Sequence, residues 1–185
     1  MAGTRDAKQR VMDATVELIR EGGLRAAAPA AIAERAGAGK MSLYRHFDGK
    51  DDLVAEALKD YLPQQLALLL GPWDAPDPRQ RILDVFDRLA RVADNGTIKA
   101  CVYVTTRLEA ADASHPAAPL AVTYKNNVVK AFTDALAEMG HADPETTGRM
   151  IAMQVDAAVV HAIVYGNARP VHDARRIVEM LLNTA

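Results

Sequence analysis

The stretch Ile32-Ala33-Glu34-Arg35-Ala36-Gly37-Ala38-Gly39-Lys40-Met41-Ser42-Leu43-Tyr44-Arg45-His46-Phe47 decides how the chain is read. Ile32, Ala33 and Ala36 share one helical face behind Pro29, whose missing N–H suits a first helical turn, and Gly37 marks the end of that short helix. After Ala38 and Gly39, a second short helix from Lys40 to His46 sets Leu43 and Phe47 one turn apart, so both face inward. Two short helices around a glycine-containing turn form the arrangement that presents a recognition helix to a major groove.

In that arrangement Lys40, Met41, Ser42 and Arg45 reach toward base edges. Arginine offers paired donors to guanine, a hydroxyl serves either role, and a methionine thioether touches a thymine methyl. Tyr44, His46 and Lys50 are better placed for phosphates. Leu43 and Phe47 are expected to close a small core.

Outward from this stretch the periodicity stays helical. Val11, Ala14, Leu18 and Ile19 predict a helix from Asp6 to Glu21, ended by Gly22-Gly23. Leu53, Val54, Ala57, Leu58, Tyr61 and Leu62 predict a longer helix that Pro63 kinks or stops. Gly71-Pro72-Trp73-Asp74-Ala75-Pro76 then breaks the chain. Asp77-Pro78 and Asp143-Pro144 each read as a capped helix start, with aspartate accepting from exposed N–H groups and proline presetting the first turn. Further helices are expected from Thr97 to Ala110, from Ala117 through Met139, from Pro144 to Tyr165 and from Val171 to Asn183. The fold class is therefore all-α with about nine helices.

Composition agrees: half of the residues are hydrophobic but only 5% aromatic, a mixture dominated by helix formers. Charge is unevenly placed. Residues 1–50 carry nine Lys/Arg against six Asp/Glu, and the remainder carries thirteen against eighteen, so the basic end can face phosphates. No apolar run approaches the roughly 18 residues of a membrane span, and no secretory core follows Arg5, Asp6, Lys8 and Arg10, so a cytoplasmic protein is expected. The single cysteine, Cys101, has no partner for a disulfide and no ligand spacing for zinc. Burial suits it better than redox sensing. His115, His141, His161 and His172 share no i, i+4 pair, and no carboxylate dyad or nucleophile motif accompanies them, so neither a metal, a cofactor nor an enzyme activity is expected.

The quoted stretch, followed by Gly49-Lys50-Asp51-Asp52-Leu53, resembles the TetR family signature, and the resemblance extends from Arg10 to Leu58. It implies a DNA-binding domain over 1–50, a ligand-binding and dimerisation domain over 51–185, and a connecting helix over about 50–70. By the same resemblance Lys40, Met41, Ser42 and Arg45 lie in the groove while Tyr44, His46 and Lys50 touch the backbone. The implied function is repression: a homodimer holds a palindromic operator in double-stranded DNA, and a small-molecule effector releases it. Three departures bear on affinity. Ala27 and Ala28 stand where Ser or Thr usually caps the second helix, Gly39 stands at the cap of the recognition helix, and Met41 replaces a small residue or proline.

For the effector, Phe86, Cys101, Thr105, Tyr124, Val128 and His161 combine apolar bodies with a few polar groups, as ligand sites do. For the dimer, Ala157, Ala158, Ala162, Val178 and Leu181 are small or apolar positions on the last two helices. A competing reading keeps the bundle and its small molecule but treats the DNA reader as weakened or lost, on the strength of Ala26–Ala28, Ala30 and Ala31.

Overall fold

The computed structural model describes residues 7–110, 112 and 114–183; Asp6, expected to open the first helix, and the side chains of Lys40 and Ser42 lie outside the described residues. Among the described residues the chain is all-helical: α1 Ala7–Ala26, α2 Pro29–Arg35, α3 Lys40–Tyr44, α4 Lys50–Leu70, α5 Pro78–Asp94, α6 Val102–Glu109, α7 Ala118–Glu138, α8 Pro144–Tyr165 and α9 Arg169–Leu181.

The expected punctuation is present. Asp77 accepts from the Arg79 N–H at 2.9 Å and the Gln80 N–H at 3.3 Å, and Asp143 from the Thr146 N–H at 3.0 Å. The bond from Thr146 holds the Asp143 carboxyl below its ordinary pKa, as expected for an acceptor at a helix N-terminus. Helical dihedrals fail at Gly22 and at Gly23, which takes a φ of +73°.

Pro63 lies inside α4, which runs to Leu70, the span expected for the connecting helix. Two boundaries differ from the periodicity. The stretch from Thr97 to Cys101 is not helical, because Thr97 closes the end of α5: its N–H at 3.1 Å and its hydroxyl at 3.2 Å both bind the Val92 carbonyl. A residue spent on the end of one helix does not open the next. Pro170 sits in the first turn of α9 instead of preceding it, which proline tolerates.

The chain parts into two compact units, one of residues up to Leu62 with Cys101–Thr123, the other of Pro63–Ala100 with Tyr124–Ala185. In the first, Val11, Ile19, Ile32, Leu53, Val54, Leu58 and Tyr103 are almost wholly buried. Tyr103, on α6, donates its hydroxyl to the Leu58 carbonyl of α4 at 2.7 Å. Burial pushes the pKa of that hydroxyl up, so it remains a donor through the neutral range.

In the second unit, α5, α8 and α9 pack together around Ile82, Phe86, Ile151, Val171 and Val178. Arg175 of α9 meets Asp87 of α5 at 2.7 Å. Arg88 caps the C-terminus of α4, donating to the Leu69 carbonyl at 3.2 Å and to that of Leu70. Desolvation lowers the pKa of this guanidinium, and two carbonyls at a helix C-terminus favour its charged form.

Tyr103→Phe keeps the ring and removes the bond to Leu58. It is expected to cost about 1 kcal/mol, the usual worth of one buried hydrogen bond, seen as a lower denaturation midpoint with an unchanged slope. An unchanged midpoint would show that the bond contributes nothing net.

Candidate nucleic-acid interface

The turn between α2 and α3 is built by backbone bonds. The Gly37 N–H donates to the Glu34 carbonyl at 3.1 Å and the Ala38 N–H to the Ala33 carbonyl at 2.9 Å, the double closure of a Schellman motif. That closure places Gly37 at a φ of +58°, where a Cβ would be strained. Arg10 of α1 completes the cap, donating Nε–H to the Ala36 carbonyl at 3.2 Å. The turn is therefore fixed by α2 itself and by one arginine from α1.

The two aromatic and aliphatic anchors fall inward as expected: Leu43 and Phe47 are buried. Lys8 of α1 lies 5.3 Å from the centre of the Phe47 ring, within cation–π range. Opposite them, Met41 is 77% and Tyr44 55% exposed, and Arg45 and His46 are exposed as well. These four side chains lie on the outer side of the short recognition helix or just beyond its end. Large apolar groups such as Met41 normally avoid water, so its exposure is the conspicuous feature of this face.

Lys50, at the start of α4, is placed differently. Its ammonium donates to the Leu24 carbonyl at 2.7 Å, turned toward the end of α1. The ties behind the reader are polar: Arg35 of α2 pairs with Glu21 at 2.9 Å and with Glu17 at 3.4 Å, Lys8 with Glu56 at 2.7 Å, and Gln9 donates to Asp60 at 2.9 Å. The bond to Glu21, with its charge, raises the pKa of Arg35. None of these cross-helix partners is signalled by spacing along the sequence.

The comparisons agree with this geometry. A family model described as bacterial regulatory proteins of the tetR family matches residues 11–57. A regulator of TetR type from Streptomyces avermitilis shares 28% identity and superposes with a TM-score of 0.86 over 98% of both chains. Residues 11–57 are thus similar to a tetR-family segment, and the chain as a whole has the fold of a TetR-type regulator.

The HTH-type transcriptional repressor KstR2 of Rhodococcus jostii is 34% identical over 116 residues, 63% of this chain. That match spans about half of the repressor's length, 48%. NemR of Escherichia coli, in its reduced form, shares the fold at a TM-score of 0.83 and 18% identity, over 98% of this chain and 99% of its own.

The departures from the TetR-family pattern have local consequences. Ala28 is the N-cap of α2, in extended conformation and without a side-chain cap bond; Pro29 supplies the first turn in its place. Ala27 is fully buried. Gly39 caps α3 at an ordinary φ of −69°, again with no side-chain bond.

The remaining expected residues are scattered. Phe86, Tyr124 and Val128 are buried within the second unit, while Cys101 and Thr105 are half-buried in the first. His161 is exposed, 5.9 Å edge-to-face from Tyr165, and lines a cleft of about 470 Å³ between α8 and α9 with Gln154, Arg169 and Asp173. Ala158, Ala162 and Val178 are buried in their own chain, whereas Ala157 is exposed and Leu181 half-buried. The apolar residues left outside on α8 and α9 include Met153, Val160, Val164, Tyr165, Ile177 and Met180. Sequence periodicity marks which faces are apolar but not which apolar face a neighbouring helix already covers.

Ala28→Ser restores a hydroxyl acceptor at the uncapped start of α2. It is expected to raise stability by about 0.5–1 kcal/mol, read from the denaturation midpoint. A neutral or destabilising effect would mean that Pro29 leaves no N–H for a cap to satisfy.

Proposed function

We propose that the protein is a DNA-binding transcriptional repressor, acting as a homodimer whose hold on a palindromic operator is relieved by a small-molecule effector. The observation that carries this reading is the recognition helix: Leu43 and Phe47 anchor it from within while Met41, Tyr44, Arg45 and His46 stay outside. Residues 1–50 act as the reader and 51–185 as the ligand-binding and dimerisation region, with α4 running from one to the other. Lys40, Met41, Ser42 and Arg45 address base edges, and Tyr44 and His46 the phosphates.

A reader of this kind needs two copies. One recognition helix covers a few base pairs, and two of them on neighbouring major grooves, about 34 Å apart, give a site long enough to be selective. The exposed apolar side chains of α8 and α9, including Met153, Val160, Val164 and Met180, supply a face for a second copy, since a surface of that kind is unfavourable in water. Effector binding in the remaining helices would favour one separation of the two readers over another. No helix among the described residues is long and apolar enough to cross a membrane.

The test is fluorescence anisotropy on a duplex enriched from a random-sequence pool, across a salt series, with an unrelated duplex as control. Arg45→Ala is expected to weaken binding to the enriched duplex by about 1–3 kcal/mol, roughly five-fold to 150-fold, and to leave the unrelated duplex little changed. Equal binding of both duplexes by the parent would sink this reading and favour a small-molecule binding protein whose reader is lost.

A further inference from the structure

The break in α1 is held from two sides by side chains that lie far apart in sequence. At Gly22-Gly23 the helix loses its regular dihedrals, and the Leu24 peptide groups need new partners. The Leu24 N–H donates to Glu109 Oε2 of α6 at 2.7 Å. The Leu24 carbonyl accepts from the Lys50 ammonium of α4, also at 2.7 Å. One residue is thus gripped by an anion on its donor and a cation on its acceptor, the stronger class of hydrogen bond in both cases.

The seat of the carboxylate is made by glycine. A Cβ built on Gly23 would lie 2.7 Å from Glu109 Cδ, inside van der Waals contact, and at φ +73° it would also be strained. Leu24 itself is buried. Three residues further on, at Ala27, the chain is fully buried again, and α2 begins at Pro29. The direction in which α2 and α3 leave α1 is set within this short span.

We propose that Glu109 is a positioning residue of the DNA reader, and that Lys50 completes the same clamp instead of serving as a phosphate contact. This rests on the reading of residues 1–50 as a DNA reader. Together the two side chains fix the Gly23-Leu24-Arg25 backbone, and with it the orientation of α2 and α3 relative to α1. All of the residues involved belong to the first compact unit.

The proposal makes a prediction opposite in sign to simple electrostatics. Glu109 is a negative charge in the same unit as the reader, so its removal alone would leave DNA binding equal or tighter. A clamp requires the reverse. Glu109→Ala is expected to weaken binding to the enriched duplex at least about three-fold, since a charge-assisted bond is lost, while binding to unrelated duplex stays equal or tightens. Glu109→Gln keeps an acceptor oxygen and is expected to restore most of the parent affinity. Lys50→Ala is expected to weaken binding with an unchanged dependence on salt, whereas loss of a true phosphate contact lowers that slope by about one.

Amide hydrogen exchange over residues 22–28 supplies a readout that does not involve DNA. Exchange there is expected to be at least about ten-fold faster in Glu109→Ala and near the parent rate in Glu109→Gln, because the bond that protects the Leu24 amide opens only in the first. Parent-like exchange in Glu109→Ala, or equal or tighter binding of the enriched duplex by it, overturns the proposal. A parent that selects no duplex overturns the DNA reading and the positioning role with it; the exchange rates then still report whether the clamp forms.

Discussion

A helix that ends inside a protein must find partners for its last carbonyls and for the amides that follow. Here that requirement falls at Gly22-Gly23, and it is met by Glu109 and Lys50, from α6 and α4. The two short helices of the reader, α2 and α3, are too small to bury much apolar area. The reader therefore depends on the helices that brace it: α1 through Arg10 and Lys8, α4 through Lys50, and α6 through Glu109. Long-range polar bonds of this kind are modest singly and decide geometry more than stability. A small reader held in this way keeps a defined orientation without a large core of its own.

The local part of this design is legible in the sequence. Pro29, Gly37, Asp77, Asp143 and Pro144 each mark a boundary through a mechanism that acts within one helical turn, and the structure places helix ends at each of them. The inward pair Leu43 and Phe47 follows from spacing alone. The non-local part is not legible. Glu109 lies 85 residues from Leu24, and nothing in its neighbourhood distinguishes it from any other acid at a helix end. The role of Thr97 in closing α5 is hidden for a related reason: a β-branched residue before an apolar run reads as helix until its partner at Val92 is known. Lys50 belongs with these, because its bond to the Leu24 carbonyl joins residues 26 apart in the chain.

The second unit shows the same division between face and partner. Periodicity identifies α8 and α9 as apolar, but Ala158, Ala162 and Val178 are consumed by contacts within the chain. What remains outside is larger and more flexible, with Met153 and Met180 prominent. Methionine adapts to the surface it meets, which suits the packing proposed for this face against a second copy. The small residues serve close packing inside the chain and the methionines coat its surface, a distinction that depends on rotation about the helix axis by a fraction of a turn.

A paired reader, as proposed for this protein, implies a spatial signature on DNA that no single helix produces. Hydroxyl-radical footprinting of the protein on its enriched duplex tests it most directly. Two protected windows related by two-fold symmetry, with centres about 10 base pairs apart or a multiple of that, are the predicted result. One isolated window, or protection spread evenly along the duplex, would contradict a paired recognition-helix reader.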